Sequence, residues 1–172
     1  MTQAPPTGSR GRAPFQVHVI PYRRPGEGGI EYALFRRVAG RFWQGIAGGG
    51  EDDETPLEAA LREVQEEAGF AGEPSDLLPL DSMATIPVVG IMGGFYWGPD
   101  VLVVPEFSFG LRCTTERCVL SEEHDAYRWF AFGDASRHLR WDSNRNALWE
   151  LDHRLRTRRL PGAGPASQGP RH

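Results

Sequence analysis

The segment from residue 48 to residue 70 places the tightest constraint on what this chain can fold into. It reads GGGEDDETPLEAALREVQEEAGF, a glycine-rich loop that leads directly into a helix. Thr55 fits an N-cap, Pro56 the first helical position and Glu58 the third residue of a capping box. Gly69 is typical of a helix C-terminus. One apolar stripe at helical spacing predicts a buried face, formed by Leu57, Ala60, Leu61, Val64 and Ala68.

Three carboxylates crowd a neighbouring face of the same predicted helix: Glu63, Glu66 and Glu67. Like charges at this spacing repel one another, and a helix built only for stability would alternate them with Lys or Arg. A divalent cation relieves the repulsion, and carboxylate oxygens suit Mg²⁺ or Mn²⁺, which complete their shells with water and substrate phosphates. The alternative interpretation is a solvated acidic face without a ligand.

The same segment matches the pattern G-x5-E-x7-R-E-U-x-E-E-x-G-U at every position, where U is a bulky apolar residue. The matching residues are Gly48, Glu54, Arg62, Glu63, Val64, Glu66, Glu67, Gly69 and Phe70. This pattern is the Nudix box, so the chain resembles the Nudix hydrolases. The resemblance implies an α/β fold, the Nudix α/β/α sandwich with a central mixed sheet. It also implies hydrolysis of a nucleoside diphosphate linked to another group.

Residue roles follow from the resemblance. The glutamates at positions 63, 66 and 67 are expected to ligate Mg²⁺, with Mn²⁺ as a substitute, and the backbone carbonyl near Ala47 is expected to add a ligand. Arg62 is expected to orient a box carboxylate, the alternative being an ordinary surface ion pair. A nucleotide-sensing module without activity would show degraded box carboxylates, whereas all of them are present here.

A second acidic site stands in the run EEHDAYRWF, just ahead of a predicted strand. Similar Nudix enzymes carry a Glu-His pair before such a strand, where the glutamate binds a metal ion or accepts the proton of the attacking water. Glu123 is therefore the candidate for that role, with Glu122 as the alternative, and the resemblance also leaves a glutamate of the box open as the base. An exposed acidic loop is the simpler interpretation.

Two further stretches bear on the substrate: FWQGIAG from residue 42, and AYRW followed by WDSNRNAL between residues 126 and 148. They are similar to the bacterial Nudix subfamily that cleaves dihydroneopterin triphosphate or dATP and releases pyrophosphate. The expected substrate-binding residues are Trp43, Gln44, Asn144 and Arg145, with the arginine on a terminal phosphate. Trp43, Trp141 or Tyr96 is expected to stack on a purine or pterin ring. The alternative substrates are ADP-sugars, dinucleoside polyphosphates and oxidised nucleotides.

The whole chain has 172 residues and a net charge of −4. That size predicts one domain over residues 14–160 between disordered tails at 1–13 and 161–172. The charge argues against nucleic-acid or membrane partners, and the resemblance implies a small nucleotide or pterin polyphosphate as the partner. Cys113 and Cys118 are expected as buried or half-buried free thiols in a cytoplasmic monomer or homodimer. Predicted strands cover residues 15–22, 31–36, 42–46, 77–89, 101–111 and 127–132, and a second helix covers 144–155.

Overall fold

The computed structural model describes residues 11–92, 95–114 and 117–158. The strands in these residues are β1 (Arg12–Arg23), β2 (Glu31–Arg37), β3 (Trp43–Gln44), β4 (Ile46–Glu51), β5 (Leu77–Pro87), β6 (Val103–Arg112) and β7 (His124–Ala131). The helices are α1 (Pro56–Ala68), α2 (Val88–Met92), α3 (Phe132–His138) and α4 (Asp142–Thr157), with one 3₁₀ turn at Pro74–Asp76.

Strand β1 is the centre of a mixed sheet and changes partner along one of its edges. Its first part, from Arg12 to Val19, pairs antiparallel with β4, whereas Tyr22 and Arg23 pair antiparallel with β2. On its other edge β1 runs parallel to β6, which in turn pairs antiparallel with β5. Strand β2 continues to β3 and β7. Because β4 and β2 occupy the same edge of β1 at different heights, the sheet splits between β4 and the β2–β7 pair, and this split is called the cleft below.

Two hydrophobic cores lie on opposite faces of the sheet, because side chains alternate along each strand. Val17, Val19 and Phe35 face α1 and pack with its buried residues. Ile20 and Leu34 point the other way and pack against α3 and α4. The α/β/α sandwich is therefore confirmed, with α1 on one face and the C-terminal helices on the other.

The predicted boundaries of α1 are confirmed. The Thr55 side chain caps the backbone N–H of Glu58, and the Glu58 carboxylate accepts from the Thr55 N–H at 2.8 Å. Gly69 ends the helix in the left-handed conformation with φ of 65°. The two ends of the helix are thus determined by local hydrogen bonds that its own sequence encodes.

Several elements differ from the sequence predictions. The predicted hairpin between β1 and β2 is paired only next to its turn, because most of β1 pairs with β4 and β6. Strand β1 begins at Arg12, within the segment predicted as a tail, and α4 begins two residues before Asn144. The short helices α2 and α3 lie on residues that the sequence predicts as strand or gives no element, since they are too brief to show helical periodicity.

Both cysteines are free and half-buried, as expected. The described residues contain no helix long and apolar enough to cross a membrane. The predicted C-terminal tail lies outside the described residues.

Candidate active site at the cleft

Helix α1 carries three glutamates of the Nudix box and presents two of them to the cleft. Glu63 and Glu67 are 9% and 5% exposed, whereas the side chain of Glu66 is 57% exposed. The glycine loop makes this burial possible, because a Cβ atom at Gly48 would stand 2.0 Å from the carboxyl carbon of Glu63. No side chain larger than hydrogen fits at position 48 while the glutamate keeps this place.

Arg62 ties the loop to the helix. Its Nε donates to Glu54 Oε1 at 2.8 Å and its Nη2 to Glu54 Oε2 at 2.9 Å, a bidentate pair. Nη2 also donates to the Gly49 carbonyl at 2.7 Å, and Nη1 donates to Glu63 Oε1 at 2.8 Å. The Glu54 side chain in turn accepts from the Glu51 backbone N–H at 2.9 Å. The arginine therefore orients Glu63 and braces the glycine loop.

Glu67 is the least well-paired carboxylate of the cleft. It accepts one long hydrogen bond, 3.4 Å, from the backbone N–H of Ala47. Arg37 Nη1 and His124 Nε2 each lie 3.9 Å from its oxygens. Burial, followed by the charges of Glu63 and Glu123, raises the pKa of Glu67 to about 8. A carboxylate in this environment needs a cation to stay ionised at neutral pH.

Glu123 reaches the same cleft from the start of β7. Its Oε2 accepts from Arg37 Nη1 at 2.5 Å, and its side chain is 56% exposed. The backbone carbonyl of Glu123 also accepts from the Val38 N–H at 2.9 Å, which anchors the turn to the end of β2. Because its carboxylate is open to solvent and its charge acts on Glu67, Glu123 is placed to contact a ligand of the cleft.

The donor set of the cleft fits a hard divalent cation. Glu63 and Glu67 are buried carboxylates with raised pKa values, in both cases because of burial first. As the side chains stand, no group of three or more His, Cys, Asp or Glu residues in the described ranges is close enough to hold one ion. Arg62 draws both Glu63 and Glu66 to itself. Carboxylate oxygens with few competing nitrogen or sulfur donors are the set that Mg²⁺ and Mn²⁺ prefer.

The four residues predicted to bind substrate occupy different surroundings. Trp43 packs edge-on against Phe130 and His138. Gln44, the next residue of β3, is buried with 8% exposure.

The other two stand in the first turns of α4. Asn144 is 4% exposed and turns toward the sheet. Arg145 donates to the Leu139 carbonyl and pairs with Asp142. A phosphate bound by Arg145 would therefore compete with Asp142.

Two residues of the cleft were not assigned to it from the sequence. Arg37 carries no motif, and only the β2–β7 pairing brings it to Glu123. For His124 the sequence leaves a proton shuttle and a structural role open; the residue is 4% exposed, and neither ring nitrogen has a hydrogen-bond partner in the described residues. Burial, and then the charge of Arg37, lowers the pKa of His124 to about 4, so the ring is neutral at neutral pH.

Comparisons with known proteins agree with this geometry. The model of the NUDIX domain matches residues 14–150. The chain belongs to the NUDIX family. Its described residues therefore form a NUDIX hydrolase, an enzyme class that acts on pyrophosphate bonds of phosphorus-containing substrates.

Individual relatives are more distant. The chain is 32% identical to the dihydroneopterin triphosphate diphosphatase of Escherichia coli K12 over 117 residues, which cover 67% of this chain and 77% of the relative. A NUDIX hydrolase of Listeria monocytogenes superposes with a TM-score of 0.75 and 36% identity, covering 86% of this chain and 98% of that one. The E. coli dihydroneopterin triphosphate pyrophosphohydrolase superposes with a TM-score of 0.68 and 25% identity over 84% and 99% of the two chains.

Proposed function

We propose that this NUDIX hydrolase cleaves a pyrophosphate bond of a pterin or purine nucleoside triphosphate and releases pyrophosphate, with Mg²⁺ as its cofactor. One observation carries the proposal. Glu63 and Glu67 of α1 are buried beside the glycine loop with too few cations to neutralise them, and Glu123 reaches the same cleft. The choice of a triphosphate is supported by the 32% identity to a protein named for dihydroneopterin triphosphate.

The metal site of this proposal consists of Glu63, Glu66 and Glu67, with the Ala47 carbonyl as a further ligand; Glu123 joins the ligands in the alternative in which a box glutamate is the base. A bound Mg²⁺ supplies Lewis-acid polarisation of the phosphoryl oxygens and neutralises the charge that develops on them. Arg62 has a positioning role, because it already holds a Glu63 oxygen, the Glu54 carboxylate and the Gly49 carbonyl.

Glu123 is the proposed general base. Its carboxylate is exposed enough to meet a water molecule, and Arg37 restrains its direction. A base must lie within hydrogen-bond reach of the proton that it accepts. His124, the adjacent residue, is neutral and enclosed in this structure, which supports a packing role against Phe35 rather than a proton transfer.

Substrate contacts outside the cleft complete the proposal. Arg145 is proposed to exchange its Asp142 partner for a terminal phosphate, and Trp43, Gln44 and Asn144 are proposed to line the path of the substrate. We propose further that the protein is cytoplasmic and acts as a monomer or homodimer. We also propose that it binds neither nucleic acid nor membranes, and its net charge of −4 supports this last point.

The test is a turnover screen of the purified chain with Mg²⁺, in which phosphate and pyrophosphate are measured separately. The panel contains dihydroneopterin triphosphate, dATP, dGTP, 8-oxo-dGTP, ADP-ribose and a diadenosine polyphosphate. Pyrophosphate released mainly from the unmodified triphosphates is the expected result. Cleavage confined to 8-oxo-dGTP, to ADP-ribose or to the diadenosine compound, or no turnover at all, overturns the proposal.

A further inference from the structure

Four polar side chains on the α4 side of the sheet are nine-tenths or more buried and lack a partner among the described residues. They are His18, Glu106, Ser108 and Asn144, with exposures of 1%, 9%, 6% and 4%. None of them makes a side-chain hydrogen bond or an ion pair within the described parts of the chain. Of these four residues, only His18 has polar atoms that are fully enclosed without a partner in the described ranges, namely its ring nitrogens, whereas the polar atoms of Glu106, Ser108 and Asn144 keep contact with the surface and are available to a ligand.

The strand register places three of these residues beside one another. On β6, Glu106 stands next to Gln16 of β1, and Ser108 stands next to His18. Neighbouring residues in such pairs, and residues two apart on one strand, share a face of the sheet. His18 lies on the face of Ile20, which packs against the C-terminal helices. Glu106, Ser108 and His18 therefore share the α4 side.

Helix α4 brings the fourth residue to the same place. Leu155 shares a cavity with Arg112, and a Cβ at Gly110 would meet Leu151 at 2.4 Å, so α4 runs in the same direction as β6. Asn144 lies two turns before Leu151. At about 1.5 Å per helical residue and about 3.3 Å per strand residue, those two turns correspond to roughly three residues of β6. Asn144 is thus level with the segment between Glu106 and Ser108.

Glu106 is the most demanding member of the group. When ionised, its carboxylate can only accept hydrogen bonds. No N–H group and no cation of the described residues reaches the carboxylate. Its oxygens are not among the fully enclosed unpaired atoms, whereas both nitrogens of His18 are, so the carboxylate remains reachable from outside. Burial raises the pKa of Glu106 to about 7. A ligand that brings N–H groups would satisfy this carboxylate.

A route from the cleft to Glu106 runs across neighbouring strands. Gly49 of β4 pairs with Gln16 of β1, and Gln16 pairs with Glu106 of β6. Strands are about 4.8 Å apart, so Glu106 lies roughly 10 Å from the glycine loop across the sheet. By the same alternation, Gly49, Gln16 and Glu106 lie on the α4 face, whereas Gly48 faces Glu63 on the α1 side. A substrate with its phosphates on the glycine loop would reach Glu106 with its ring, across a sugar or polyol linker.

We propose that Glu106 reads the ring of the substrate and selects a 2-amino-4-oxopyrimidine edge, the edge shared by pterins and guanine. This inference rests on the proposed function and narrows its substrate class. That edge carries a ring N–H beside an exocyclic NH₂, two parallel donors that match two carboxylate oxygens. Adenine instead presents a donor beside an acceptor, which an ionised carboxylate meets with one repulsive contact.

The test compares Glu106→Gln with the unmodified enzyme on dihydroneopterin triphosphate, dGTP and dATP, with pyrophosphate release as the readout. We expect kcat/KM for the first two substrates to fall roughly ten- to a hundredfold, mainly through KM, the range of a lost charged hydrogen bond. We expect dATP turnover to stay constant or rise, because a glutamine amide pairs with the donor and acceptor of adenine. A merely structural role would lower all three equally, and an unchanged ratio or an equal loss overturns the inference.

Glu27→Gln is the matched control, since Glu27 is exposed in the turn between β1 and β2 and loses the same charge. It is expected to leave all three rates unchanged. A melting curve verifies that Glu106→Gln is folded.

A binding measurement separates failure of this inference from failure of the proposed function. If the unmodified enzyme cleaves no triphosphate, the proposed function fails, but neopterin, guanosine and adenosine can still be titrated by calorimetry. Preference for neopterin and guanosine that disappears in Glu106→Gln supports the role of Glu106. Equal affinities for the three compounds, or a preference that survives the substitution, overturn it.

Discussion

At the scale of single residues, Glu67 is the buried carboxylate of the cleft that Ala47, Arg37 and His124 surround. We expect Glu67→Gln to lower Mg²⁺-dependent turnover by about a hundredfold or more, since loss of even an outer-sphere contact to a metal site costs roughly 10–100-fold. The melting temperature should hold or rise, because the neutral amide avoids the burial cost that raises the pKa of Glu67. Steady-state kinetics and a melting curve check both parts, and full activity in the variant would remove Glu67 from the site.

A second prediction at the residue scale concerns Gly48, which leaves room for the Glu63 carboxylate. A Cβ at this position would stand 2.1 Å from Glu63 Oε1, the oxygen that Arg62 holds. We expect Gly48→Ala to displace Glu63 and destabilise the protein by about 1–3 kcal/mol, the usual cost of overpacking. Turnover should fall together with the thermal stabilisation by Mg²⁺. Gly90→Ala is the control, because a Cβ at Gly90 meets no atom within 4 Å; equal effects of the two substitutions would contradict the explanation.

At the scale of secondary structure, the capping box of α1 holds the helix that carries the box glutamates. Thr55→Ala removes the side-chain acceptor of the Glu58 N–H, so we expect a loss of about 1 kcal/mol in the free energy of unfolding. Because the two residues bond reciprocally, the double variant with Glu58→Ala should cost less than the sum of the single ones. Chemical denaturation of the three variants gives this coupling, and strict additivity would show that the box is not cooperative.

At the scale of the whole molecule, the buried charge of Glu106 makes stability depend on pH. Its pKa is raised from 4.5 to about 7 in the folded protein, so the folded state binds more protons than the unfolded state between these values. This contribution therefore favours folding at low pH and is lost as pH rises from 4.5 through about 7. One pKa unit corresponds to about 1.4 kcal/mol, which limits the effect to roughly 3 kcal/mol.

We accordingly expect Glu106→Gln to be more stable than the unmodified protein at pH 8 and about equally stable at pH 4.5. Urea denaturation at the two pH values measures the difference. Equal stability of the variant and the parent at pH 8 would mean that the carboxylate is not penalised by burial. If Glu106→Gln gains stability at pH 8 and loses its preference for pterin and guanine rings, Glu106 serves substrate selection at a cost in stability.

Local sequence determined helix α1 in full: its cap, its ends, its apolar stripe and its acidic face all depend on residues within one helix length. The Nudix pattern added the fold class, because its loop–helix unit belongs to one sandwich architecture, which the family comparison confirmed. Short elements were not predictable in the same way. Helices α2 and α3 contain at most two turns, so no periodicity distinguishes them from strand or loop.

Tertiary structure alone decided which distant residues meet. Arg37 faces Glu123 because β2 pairs with β7, and Glu106 lies level with the glycine loop because β1 pairs with β4 and β6 at once. Such pairings depend on strand register and on the packing of whole layers, and no local spacing encodes them. Helix α1 is therefore encoded in a single stretch of sequence, whereas the pair of Arg37 and Glu123 and the cluster of His18, Glu106 and Ser108 exist only after the sheet has formed.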